Sequence, residues 1–335
     1  MNIKNLFPTT LALGMALALS ACGGQQASAT QNTAVNEDTQ HQAAASIKEV
    51  RIGHQLAGSL VFLKDQKTLD EELAKQNIKV NWIKFAAGPP MLEALNTGNL
   101  DFATTAEAPP IFAQAANSGF VYVAHEKASP NSEGLLVPKN SDIKSVTDLK
   151  GKKIALGKGS GVHYSLLENL KKHGLNFSDI TPVYLQPSDA RAAFEQGNVD
   201  AWVVWEPYRA AAEKQLGART LFNAEGLKPG YAFYLARKEF AQEHPELVKT
   251  IIKHVDSADQ KINADLKAFG QITAKQMGID EDIAYEAALR RNYGAKLITE
   301  DVVLEQQKVA DAFYAEKLIP KPIQVKEIMW QAPQN

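Results

Sequence analysis

A single cysteine, Cys22, stands in 335 residues, so the monomer can form no internal disulfide. Positive charge is not in excess: 36 Lys and Arg face 38 Asp and Glu, a formal net charge of −2, and no global field exists of the kind a phosphate backbone demands. The histidines show no HxxxH or Cys/His spacing, so neither a metal site nor a cofactor is expected. Ser160 is flanked two residues away by Lys158 and Val162, where a nucleophile elbow has glycines. No nucleophile–base–orienter set can be assembled. The apolar stretch from Leu6 to Leu19 is too short for a membrane helix.

That stretch follows Lys4 and ends at Ser20-Ala21, directly before Cys22. The junction resembles a bacterial lipoprotein signal, in which cleavage leaves the cysteine as the lipid-modified N-terminus. A plain signal peptide with an incidental cysteine is the alternative. Residues 1–21 are thus expected to be removed, Cys22 to carry the lipid, and residues 22–46, rich in Gln, Ala, Ser, Thr and Asn, to form a disordered tether. The chain would then be exported and anchored to a bacterial membrane, facing the periplasm or the cell exterior.

From Ile47 onward the composition is ordinary for a globular protein, 45 % hydrophobic and 22 % charged over the whole chain. Alternating strands and helix-spaced apolar residues follow one another as βα units. The pattern is interrupted at 128–133 and again at 223–230. These interruptions read as two crossings between lobes, with residues 47–133 and 230–335 forming a discontinuous first lobe and 134–229 the second. Two crossings make a hinge. After His244 the chain reads as helix with short breaks.

A doubled unit organises the folded part. Gly98-Asn99-Leu100-Asp101 leads to Thr105-Ala106-Glu107, and Gly197-Asn198-Val199-Asp200 leads to Val204-Trp205-Glu206, with a glutamate six positions after each aspartate. Trp202 and Trp205 are three apart on one strand and so face opposite sides. Trp202 is assigned to the core and Trp205 to a pocket wall.

Several helix starts fall at the carboxyl ends of strands, where open α/β sheets bind ligands. They are Gly88-Pro89-Pro90, the Thr104–Glu107 corner, Gly157–Gly161 and Pro187-Ser188-Asp189. Their free N–H groups suit an anion. Binding is therefore expected to be dipolar rather than ionic, since no arginine sits at a cleft loop unless Arg191 does. A micromolar ligand needs about 8 kcal/mol, which three or four charge-assisted hydrogen bonds of about 1.5–3 kcal/mol each can supply. Glu107 and Glu206 invite a second reading as acid/base residues of an exported enzyme. They also fit plain helix-start acids, or rim acids that meet a partner.

The segments Phe85 to Leu95, Pro109 to Ala116, Asp189 to Tyr208 and Phe233 to Ala236 together resemble the aliphatic sulfonate-binding proteins of ABC importers, within the nitrate/sulfonate/taurine group. The resemblance runs from about Val50 to Trp330. It implies an α/β, two-lobed periplasmic binding protein of type II, each lobe a mixed, largely parallel sheet flanked by helices, with a ligand cleft between the lobes. It further implies a monomer that closes on a small organic sulfonate and hands it to a membrane permease. By position, the ligand residues would be Gln55, Gly58, Ser59, Gly88, Thr105 and Glu107 on one side and Gly159, Ser160, His163, Trp205 and Glu206 on the other. At Thr104-Thr105-Ala106-Glu107 the chain departs from the family's small-Thr-Gly-Asp corner. Taurine, nitrate, a sulfate-like oxyanion or a pyrimidine remain alternative ligands on the same fold.

Overall fold

The computed structural model describes residues 47–117 and 119–333; the signal segment, Cys22 and the tether lie outside them. The strands are β1 (Glu49–His54), β2 (Lys79–Lys84), β3 (Phe102–Ala106), β4 (Phe120–His125), β5 (Glu133–Val137), β6 (Lys153–Leu156), β7 (Thr181–Tyr184), β8 (Ala201–Trp205), β9 (Arg219–Asn223), β10 (Ala232–Arg237) and β11 (Lys296–Leu297). They build two mixed sheets, ordered β11-β4-β10-β3-β1-β2 and β7-β6-β8-β5-β9. In each lobe the βα succession gives parallel pairs, β1 with β2 and β3, and β6 with β7 and β8. The strand that follows each crossing, β5 or β10, slots in antiparallel to both its neighbours. The lobes are thus built to one plan, each completed by a strand reached from the other.

The doubled unit explains how each plan keeps its register. Gly98 and Gly197 sit at φ of 73° and 70°, a left-handed conformation that ends a helix without Cβ strain. Asp101 Oδ2 then accepts from the Arg51 backbone N–H at 2.9 Å, and Asp200 Oδ2 accepts from the Lys153 N–H at 2.7 Å. Each aspartate also donates its own N–H to the carbonyl of that same residue. Both aspartates are therefore clips, joining β3 to β1 in one lobe and β8 to β6 in the other. By fixing where β3 and β8 run, they fix where Glu107 and Glu206 emerge.

Alternation along the strands divides the apolar residues between two faces of each sheet. In the first lobe, Phe102 and Tyr234 face one core and Ala103, Phe233 and Leu235 the other; in the second, Val203 faces one and Trp202 and Val204 the other. Tyr164 and Leu167, on the second-lobe helix Gly161–Lys172, join the first-lobe core around Phe313. The lobes therefore share apolar contact.

Some elements differ from the sequence expectation. Helix-spaced apolar residues run from 59 to 76 in the sequence, but the stretch breaks at Lys67, which adopts φ 57° between the helices Ser59–Gln66 and Thr68–Ala74. The helix Pro245–Ala264 stops at Asp265, whose side chain accepts from Ala268 N and starts Leu266–Met277. The two-residue β11 falls within the region after His244 that the sequence reads as helix. Among the described residues no helix is long and apolar enough to cross a membrane.

Candidate functional site

A cavity enclosing about 110 Å³ of solvent-accessible space lies between the lobes. Of the residues expected from sequence, Gln55, Gly58, Ser59, Gly88, Thr105, Glu107, Ser160, Trp205 and Glu206 line it. Gly159 and His163 do not.

Two helices aim their N-termini at this space, one from each lobe. Gly58 takes φ 109° and ψ 177°, open only to glycine, and starts Ser59–Gln66. Ser160 precedes Gly161–Lys172. The first N–H groups of both helices have no intrahelical partner. The other expected starts give less. Gly88-Pro89-Pro90 and Ala108-Pro109-Pro110 each lose two donors of the first turn to proline, and Pro187-Ser188-Asp189 is not on the wall.

The hydroxyls are also not equivalent. Ser59 Oγ donates to Glu126 Oε1 at 2.9 Å and Ser160 Oγ to the Gly157 carbonyl at 2.6 Å, so both protons point away from a ligand. Thr105 Oγ1 is buried with no hydrogen-bond partner among the described residues. It lies where a methyl on Gly88 would fall, so only glycine fits there. Thr105 keeps its proton free for the cavity.

Glu107 and Glu206, expected as ligand residues or bases, are engaged by the protein itself. Glu107 pairs with Lys228, whose ammonium lies 2.7 Å from Glu133 Oε1 as well, and all three are buried. Burial raises the Glu107 carboxyl above its ordinary range against the pull of Lys228, and Glu133 adds to the rise. Burial alone would lower Lys228, but the two carboxylates outweigh it and hold the ammonium above its ordinary value. Glu206 Oε1 accepts from Arg290 Nη1 at 2.7 Å and Oε2 from Ala210 N at 3.0 Å. Buried in this way, it is a structural acid, not one exposed to a permease.

His163 stands back from the cavity wall. It is fully buried in an aromatic seam, stacked on Phe112 with ring centroids 6.4 Å apart and 5.6 Å from Phe313. Burial, with a smaller push from Lys158, lowers it to about 4, and its Nδ1 accepts from Gly159 N at 3.4 Å. Gly159 is therefore turned toward His163, and both belong to the lobe–lobe contact. Trp205 stands on the cavity wall, edge-on to Tyr208 at 5.9 Å, while Trp202 is buried against Phe194.

The expectation of purely dipolar binding also changes. Arg191 bonds Gln215 and is not on the wall, whereas Arg291 is. Sequence alone does not single out Lys228, Glu133 and Arg290, whose pairings join distant parts of the chain, nor Arg291, which no local spacing marks. Among the described residues no group of three or more His, Cys, Asp or Glu is placed to hold a metal.

Residues 48–281 match the family described as the substrate binding domain of the ABC-type glycine betaine transport system. A protein of Escherichia coli (strain K12) named for the binding of aliphatic sulfonates is 40% identical over 294 residues, spanning 87% of this chain and 92% of its own. A protein of the same name from Bacillus subtilis (strain 168) is 33% identical over 287 residues, 84% of this chain and 86% of its own. The alkanesulfonate-binding protein of Xanthomonas axonopodis pv. citri, solved bound to MOPS, superposes with a TM-score of 0.82 at 38% identity, spanning 86% of this chain and 100% of that one. With its two mixed sheets, crossing strands and interlobe cavity, this chain belongs to the substrate-binding proteins of ABC-type transport systems, in the type II periplasmic fold.

Proposed function

We propose that the chain is the extracytoplasmic receptor of an ABC importer, capturing aliphatic sulfonates between its lobes and delivering them to the permease for sulfur uptake. The observation that carries this reading is the convergence of two helix N-termini, at Ser59 and Gly161, on one cavity whose acids are already partnered. A sulfonate suits such a site, since it accepts from several donors and carries one negative charge. The names of the relatives point the same way. Trp205 and Tyr208 give the alkyl tail an apolar wall, each buried methylene adding about 0.8 kcal/mol.

In this reading the lobes close about the crossings near 128–134 and 223–231, and the permease recognises the closed form. The protein binds without turnover as a monomer, and Cys22 carries a lipid that holds it at the membrane. Calorimetric titration with ethanesulfonate, MOPS, taurine, nitrate and sulfate tests the ligand class. Micromolar binding of alkanesulfonates with weaker nitrate and sulfate is expected; no heat with any sulfonate rules the reading out. Mass spectrometry of the incubated ligand would reveal turnover, and intact mass of protein from membranes reads the Cys22 modification.

A further inference from the structure

Arg291 is the only lysine or arginine lining the cavity among the described residues; its backbone N–H donates to the Ala288 carbonyl at 3.3 Å, while its side chain makes no hydrogen bond or ion pair among them. Its neighbours are all committed. Arg290 reaches across to Glu206 and Glu213 of the second lobe at 2.7 Å each. Asn292 donates from its backbone to Ser129 Oγ at 2.9 Å and from Nδ2 to the Ala128 carbonyl at 2.6 Å. The loop is thus pinned on both sides of Arg291 while the guanidinium itself stays free.

The acids on the same wall do not claim it. Glu107 and Glu133 share Lys228, and Glu206 has Arg290. Glu126 accepts from Ser59 Oγ, from the Tyr234 hydroxyl and from Gly294 N. Two residues beyond Arg291, Tyr293 also lines the cavity, and its hydroxyl is buried with no hydrogen-bond partner among the described residues. A buried hydroxyl left unpaired is unfavourable until an acceptor arrives.

We propose that Arg291 is the ionic anchor of the ligand's oxyanion, with Tyr293 as a neutral donor beside it. The inference rests on the sulfonate-receptor reading and deepens it: binding is ionic at one point and dipolar elsewhere. It also makes the loop between Leu289 and Lys296 a specificity element, because Arg290 ties that same loop to the opposite lobe.

The test is calorimetric titration of ethanesulfonate into the full chain and into Arg291→Gln, Arg291→Lys, Tyr293→Phe and Arg191→Gln. Loss of a charge-assisted pair predicts roughly 10- to 100-fold weaker binding for R291Q. R291K should recover part of this, Y293F should weaken binding several-fold, and R191Q should match wild type. Binding by R291Q within threefold of wild type overturns the proposal. So does a melting temperature of ligand-free R291Q lowered as far as that of Arg290→Gln, which would make Arg291 structural. If wild type itself takes no sulfonate, the receptor reading fails and this inference with it; if wild type binds and R291Q binds equally, only the inference fails.

Discussion

Counted from the glycine of each Gly-Asn-apolar-Asp unit, Ala106 and Trp205 occupy one position and Glu107 and Glu206 the next. Both glutamates are buried at the end of a strand, and both take a cation from another element: Lys228 on the crossing between β9 and β10, and Arg290 in the loop after the helix Glu281–Leu289. Their surroundings differ in charge and in wetness. Lys228 faces two carboxylates, and the side chains of the triad are only 3%, 5% and 8% exposed. Arg290, 15% exposed, works with Arg209 on Glu206 and Glu213 and reaches the more exposed Glu286. A dry corner with one surplus negative charge depends on its single cation; a wetter one with two guanidiniums shares the load.

Lys228→Met should therefore have the largest effect. It strands two buried carboxylates, and breaking such a group by removing one partner costs about 3–5 kcal/mol. Urea unfolding at neutral pH measures the loss. Adding Glu107→Gln and Glu133→Gln should return most of it, because the penalty lies in the uncompensated charge. A Lys228→Met protein as stable as wild type would end the distinction between the corners.

Arg290→Gln should cost less, about 1–3 kcal/mol. Ala210 N still donates to Glu206 at 3.0 Å and Arg209 remains 4.0 Å away. This substitution cuts a link between lobes, so solution scattering should also show a less compact ligand-free protein. If it destabilises more than Lys228→Met, the order of the two corners is reversed.

Much of this was legible in the sequence, for reasons that particular residues make plain. The repeat at Gly98 and Gly197 is a local device, a helix stop followed by an aspartate clip, and local devices leave local spacing. Turn chemistry and a family pattern mark Gly58, Gly88 and Thr105, and the fold sets all three on the cavity wall. What failed to show depends on distant partners or on a proton's direction. Lys228 meets Glu107 from 121 residues away. Ser59 and Ser160 are visible as hydroxyls, but only the fold shows that Glu126 and the Gly157 carbonyl take their protons. His163 sits in the first turn of the helix Gly161–Lys172, yet its distance from the ligand space is decided by Phe112 and Phe313 of the other lobe, which no local spacing reveals. Arg291 lies in the region after His244 that reads as helix with short breaks, and nothing in its spacing marks it.

The smallest effect is expected where the corners differ in size. A methyl built on Gly161 would stand 2.7 Å from Cβ of Ala106, so the lobes meet there because one side has no Cβ. Ala106→Gly removes one methyl from this seam, worth about 0.8 kcal/mol, and should weaken ethanesulfonate binding by no more than about fivefold. Gly161→Ala places two methyls in one space, and overpacking of that kind costs about 1–3 kcal/mol. The double variant moves the single methyl to the other lobe and should recover most of the loss. Trp205, at the matching position, lines the same cavity as Ala106 but with an indole in place of a methyl, so Trp205→Phe should alter the preference between short and long alkyl chains while Ala106→Gly, acting through the seam with Gly161, weakens all of them alike. An Ala106→Gly protein that changes chain-length preference, measured as the ratio of ethanesulfonate to hexanesulfonate affinity, would show that the methyl touches the ligand and that the two positions do the same job.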